Sequence, residues 1–294
     1  MTETIQDVVN AVSLGSLYAL FGCGLALVLG TARIANFAYG AAIMVGAYLL
    51  FLLADLPWPV VVLGVVLGVV ALSLAIDGVA FRPLREADPT TLLVASFAVS
   101  VLLTNLAIAI AGARTKGVDF GSSLLGSVDV GGVSIAKLDL LTIALTAATL
   151  LTLTVFLRRT LLGVQLRAAA EDFTMARLLG VNANRVIAAA FAISGVIAGL
   201  AAVLLTVRSG TLSPDLGVQP VLIAFIAIVV GGMGSLAGAT AAGFLIGCLS
   251  VALEVLLPPD LRPYRDAFLF SLIIVILLGR PQGLFGGQQV GARV

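Results

Sequence analysis

The side chains able to do chemistry in this chain of 294 residues are few, and one type is missing altogether. No histidine occurs, which removes the usual general base near neutral pH, the Ser/His and Cys/His nucleophile pairs, and the commonest metal ligand. Most hydrolase chemistry is thereby excluded, and no cofactor or metal is expected. The two cysteines, Cys23 and Cys248, lie inside apolar runs, where a thiol packs as a small hydrophobe. No Gly-x-x-x-x-Gly-Lys-Ser/Thr phosphate loop is present, so the chain does not cradle ATP itself. Asp77 and Glu254 are the acids nearest to apolar interiors, and a carboxylate inside a membrane is a candidate proton or ion relay. Each lies close to the end of its run, where a side chain reaches water, so the interfacial reading is preferred. An ion-coupled secondary transporter, which needs a titratable group at mid-membrane, is the alternative transport reading.

Composition says what must position these residues. Apolar residues make up 61% of the chain and charged ones 11%, with a mean hydropathy of +1.19, against about 45–50% and 25% in soluble domains. The chain is an integral membrane protein. Its net charge of +1, without a basic tail, makes nucleic acid no partner. The N-terminus carries Glu3 and Asp7 in place of the basic opening of a secretory signal, so the first apolar run is read as a retained span. A crossing helix needs about 20 mostly apolar residues. Runs of that kind fall at 8–29, 34–54, 59–77, 91–111, 138–157, 186–207, 219–232, 239–257 and 265–279. The fold class is all-α polytopic, with eight or nine transmembrane helices in a single domain over 1–294. The seventh and eighth runs, interrupted at Gly231–Ser235 and Gly238, could equally form a re-entrant pair of half-helices.

Ten of the sixteen Lys and Arg fall in alternate loops that are therefore read as cytoplasmic, including Arg33, Arg82, Arg85 and the run Arg158 to Arg185. Two loops are long. The outer segment 112–137 contains Val128-Asp-Val-Gly-Gly-Val-Ser134, which reads as a hairpin that either caps the membrane face or simply connects. The inner segment 158–185 contains an amphipathic stretch, Leu166 to Asn184, expected to be one short helix ended by Gly180. Phe173, Ala176 and Leu179 recur on one face, with Glu171, Asp172 and Arg177 remaining polar. The helix is too short to span and carries acids unsuited to anionic lipid, so it is read as a docking element.

Within the spans, polar residues able to meet a solute are sparse. Ser96, Ser100 and Thr104 recur every four residues as one stripe, and either line a path or back-bond to their own helix. Thr31 and Asn36 flank a Gly30-to-Gly40 break, where Asn36 either faces a path or caps the next helix. Gly64/Gly68 and Gly243/Gly247 are spaced for close helix packing, and Gly30–Gly40 loosely resembles Gly231–Gly238, as an internal repeat would.

Gly163-Val-Gln-Leu-Arg167 through Ala176-Arg-Leu-Leu-Gly180-Val-Asn182, with Ala190-Phe-Ala-Ile-Ser194, resembles the coupling loop of the branched-chain amino acid permeases of ATP-binding cassette importers. Four further stretches agree in order and spacing: Asn36-Phe-Ala-Tyr-Gly40 with Gly46-Ala-Tyr48, Arg82-Pro-Leu-Arg85, Gly231-Gly-Met-Gly-Ser235 with Gly238-Ala239, and Arg280-Pro-Gln-Gly-Leu-Phe-Gly286. Together they cover about residues 10–286, and the length resembles the shorter, H-type permease. Ala242-Gly243 departs from a Gly-Gly pair. The resemblance implies a non-catalytic subunit in a bacterial inner membrane, partnered by a homologous second permease, two cytoplasmic ATP-binding subunits and an extracytoplasmic substrate-binding protein. It implies coupling through Arg167, Glu171, Asp172, Phe173, Ala176, Leu179 and Gly180, and a solute such as a branched-chain amino acid or a related amide. The residues favour Asn36, Thr31, Ser96, Ser100 and Thr104 for the path.

Overall fold

The computed structural model describes residues 2–85, 87–118, 120, 126–130, 133–280 and 283–284. Long apolar runs dictate helices here, since in lipid every backbone N–H and C=O must be satisfied within its own segment. Among the described residues six helices are long and apolar enough to cross a bilayer. They are α1 (Thr2–Ala32), α3 (Trp58–Ile76, continued by a π turn Asp77–Phe81 and a 3-10 turn Arg82–Leu84), α4 (Pro89–Ala111), α5 (Lys137–Arg159), α8 (Ala183–Ser209) and α10 (Leu236–Leu256). Shorter apolar helices are α2 (Ala38–Leu53) and α9 (Val218–Gly231), and α11 (Arg265–Gly279) has 15 residues. The interrupted seventh and eighth runs are thus unequal: one short helix and one full-length one, joined by Gly232–Ser235.

Centre and periphery follow from burial. The most apolar window of α1 is 83% buried and that of α8 is 67% buried, whereas that of α4 is only 6% buried. α1 packs against α10, α8, α9 and α5, and α8 packs against α3. Small residues set these distances. A Cβ at Gly247 would collide with the Gly15 backbone, one at Gly243 would lie 2.5 Å from Tyr18 O, and one at Gly199 would lie 2.9 Å from Val66 Cα. Gly64 and Gly68 instead face the side chains of Leu53 and Leu49 on α2.

The loop between α4 and α5 is tied down. Strand β1 (Lys116–Gly117) pairs antiparallel with the short β4 (Thr211–Leu212), and β2 (Ser127–Val130) pairs with β3 (Val133–Ala136) as the expected hairpin. Its turn, Gly131-Gly132, lies outside the described residues. Trp58 stacks on Phe120 at 6.2 Å, and Lys116 sits 5.1 Å over the Phe51 ring. The close α1–α10 contact yields a direct test. Gly247→Leu is expected to destabilise the fold by about 1–3 kcal/mol or more, because the added atoms meet backbone that cannot rotate away. Gly30→Ala, where nothing lies within 4 Å of the added atom, is expected to be tolerated. Heating detergent-solubilised protein and following its monodisperse fraction checks both.

Candidate functional site

The inner segment is two helices rather than one. α6 (Leu161–Glu171) and α7 (Phe173–Leu178) are broken at Asp172, whose backbone is extended at φ −143° and ψ 101°. The physical reason is capping: the Asp172 carboxylate accepts from Met175 N at 2.9 Å, which satisfies an orphan donor at the start of α7. At the other end Gly180 is left-handed, φ +88°, as its glycine predicts. Val181 N donates to Ala176 O and Gly180 N to Arg177 O, the paired bonds of a Schellman closure. α7 therefore turns directly into α8.

The expected common face is also revised. Ala176 is buried within the chain, and the half-buried Phe173 packs against the same core. Leu179 points the other way, 79% exposed, with Leu178 and Met175. α7 ends at Leu178, so Leu179 falls in the closing turn and does not continue the face of Phe173 and Ala176.

Asp77 corrects the interfacial reading. It is buried, and Arg85 Nη2 donates to its two carboxylate oxygens at 2.6 and 2.9 Å, while Arg85 Nη1 donates to Asn184 Oδ1 at the start of α8. The second arginine of Arg82-Pro-Leu-Arg85 therefore neutralises an acid that does not reach water. Glu254 keeps the expected exposure and accepts from Arg265 at 3.0 Å.

The path residues separate. Thr31 and Ser96 are buried, but their hydroxyls donate to Leu27 O and Leu93 O of their own helices at 2.7 Å each. Ser100 and Thr104 line a cavity of about 340 Å³ between α4, α2 and the start of α9. Asn36 is buried, and its Oδ1 has no hydrogen-bond partner among the described residues. It is not a side-chain cap: α2 begins after Phe37 with no side-chain cap bond, and the Asn36 backbone carbonyl accepts from Tyr39 N. Asn36 lines neither of the two cavities described here.

The larger cavity, about 1010 Å³, was not legible in the sequence. It opens among the start of α1, the ends of α8 and α10, and the segment leading into α9. Acids Asp7, Asp215 and Glu254 and cations Arg208, Arg262 and Arg265 share its lining with Asn10, Tyr18 and Gln219. Arg208 is held by Ser13 at 3.0 Å and by Asp139 at 3.3 Å. The only forewarning was that the Arg and Asp residues in this group all fall outside the loops read as cytoplasmic.

Two motifs of the resemblance also meet in space. Leu284 N donates to Val230 O at 2.7 Å, and a Cβ at left-handed Gly283 would lie 2.7 Å from Gly232 N. Pro281, Gln282, Phe285 and Gly286 of that motif lie outside the described residues. A family model described as branched-chain amino acid transport system / permease component matches residues 8–277. The chain belongs to this permease family. It is 33% identical to the high-affinity branched-chain amino acid transport system permease protein BraD of Pseudomonas aeruginosa, over 97% of both chains. It is likewise 33% identical to the permease protein LivH of Escherichia coli, over 97% of this chain and 96% of the relative. The permease protein LivM of Escherichia coli is 36% identical over 124 residues, 42% of this chain and 28% of the relative.

As a permease, the chain is a multi-pass transport component, and its α6–α7 break is a local test of the reading above. Asp172→Ala removes the cap of α7 and is expected to cost about 1 kcal/mol. Hydrogen exchange is expected to quicken over 173–178 while α8 stays protected.

Proposed function

We propose that this chain is the permease subunit of an ATP-driven importer in a bacterial inner membrane, carrying branched-chain amino acids or a related amino acid or amide. The carrying observation is identity at 33% across nearly the whole length of BraD and LivH, both high-affinity branched-chain amino acid permeases by name. Beside the six long helices, α2 and α11 also cross, giving eight, and α9 makes the ninth where it crosses in full. A homologous second permease of the LivM kind completes the membrane unit. Two cytoplasmic ATP-binding subunits grip α6–α7, and an extracytoplasmic binding protein delivers solute to the larger cavity.

The charge balance of that cavity supports an amino acid. Three carboxylates and three guanidiniums face it. Glu254 and Arg265 pair with each other and Arg208 pairs with Asp139, so both signs of charge are fixed around the space, and a zwitterion offers one charge to each kind. On the inner side the exposed Met175, Leu178 and Leu179 supply the apolar contact for an ATP-binding subunit, and Ala176 and Phe173 set the angle at which α7 presents them.

Reconstitution tests the reading. The four-component assembly in proteoliposomes is expected to take up leucine only with ATP and binding protein. Uptake by this chain alone would return the ion-coupled alternative.

Leu178→Asp with Leu179→Asp is expected to abolish solute-stimulated ATP hydrolysis while membrane insertion stays normal, because carboxylates would be desolvated at the subunit contact. Gly180→Leu is expected to act in the same direction, since a side chain is strained at φ +88°. Asn36→Leu is expected to cut uptake per folded molecule strongly, since it deletes a buried amide oxygen that has no partner among the described residues. Uptake normalised to folded protein checks this, and near-normal values would remove Asn36 from the path.

A further inference from the structure

The inner ends of α3 and α8 are joined by a polar bolt that neither the transport reading nor the family assignment accounts for. Asp77 opens a π turn, Asp77–Phe81, at the end of α3, and such turns interrupt regular helices at functional positions. Arg85, four residues beyond that turn, folds back so that a single nitrogen bonds both Asp77 oxygens, with side-chain exposures of 16% and 6%. Its second nitrogen bonds Asn184, the second residue of α8, and its Nε is buried without a partner. The guanidinium is thus fixed by partners from two helices, and around it Ile76, Phe81, Ile187 and Phe191 form one apolar cluster against which Phe173 of α7 also packs. The Schellman closure leaves only Val181 and Asn182 between Gly180 and α8.

We infer that Arg85 is a positioning residue for energy coupling: its guanidinium bolts the start of α8 to the end of α3, so a displacement of α7 moves both helices together. The inference rests on the proposed function and concerns how that function is driven. The guanidinium reaches Asp77 and Asn184 with two nitrogens held apart in a rigid fork; a lysine keeps the charge and the Asp77 pair but brings a single nitrogen without that fixed geometry. Without the bolt, the inner end of α8 would slide against α3 and absorb the displacement of α7 there, and hydrolysis would proceed with little movement of the cavity that α8 lines at its far end through Leu205 and Arg208.

The test uses the complete four-component assembly in proteoliposomes and reads leucine molecules taken up per ATP hydrolysed. Arg85→Lys and Asn184→Ala are compared with the wild type. Asn184 is exposed, so its truncation removes one partner of Arg85 while the Asp77 pair remains, and it carries the test if Arg85→Lys fails to assemble. Both variants are expected to keep near-normal ATP hydrolysis while uptake per ATP falls about tenfold, the size of a typical coupling free energy. An unchanged ratio in Asn184→Ala, or parallel loss of hydrolysis and uptake, would overturn the inference. Absence of ATP-driven uptake in the wild-type assembly would instead sink the proposed function.

Discussion

Everything in this fold depends on how closely α1 approaches its neighbours. Lipid tails are as apolar as leucine, so no hydrophobic force draws two spans together, and association rests on van der Waals packing and interhelical hydrogen bonds. Glycine supplies the proximity. Gly15 and Gly22 on α1 lie against Phe244 O and Ala239 O of α10, and Gly243 and Gly247 of α10 return the contact to Tyr18 and Gly15. The same logic holds on α8, where Gly195 meets Ser73 and Val70 of α3, and Ser194 Oγ donates to Gly24 O of α1 at 2.8 Å. With α1 clamped between α8 and α10, the weakly buried α4 is left outside the core.

That packing decides what polar groups can do. Hydroxyls on the spans mostly bond one turn back, as Thr31, Thr142, Thr149, Thr154 and Thr240 do, because the helix carbonyl is the nearest acceptor in a dry environment. Charged groups gather at helix ends and are held there: Asp77 with Arg85, Asp139 with Arg208, and Glu254 with Arg265. A buried ion left unpaired would cost several kcal/mol, which explains why the buried Asp77 and Asp139 each meet an arginine.

α8 connects the two ends. Its 27 residues span about 40 Å at the usual rise, from the Schellman closure of α7 to Arg208 at the outer cavity. A rod of that length, packed on α1 and α3 and capped at Asn182 and Gly210, links the α6–α7 segment to the larger cavity in one continuous element.

The sequence by itself determined the class of fold, the approximate position of each apolar helix and the Gly180 terminus of the segment before α8, because these depend on local composition and on single-residue conformational preference. It also carried the family, through five motifs whose order needs no geometry. It misjudged Asp77, Ala176 and the unity of α6–α7. Those depend on how side chains meet once the helices are placed: Arg85 reaching back across a π turn, α7 packing on α6, and a side-chain cap that outcompetes helix continuity at Asp172. The outer cavity was invisible for the same reason. Asp7, Arg208, Asp215, Glu254 and Arg265 are ordinary interfacial charges one by one, and only the close packing of α1 with α8 and α10 brings them around a common space.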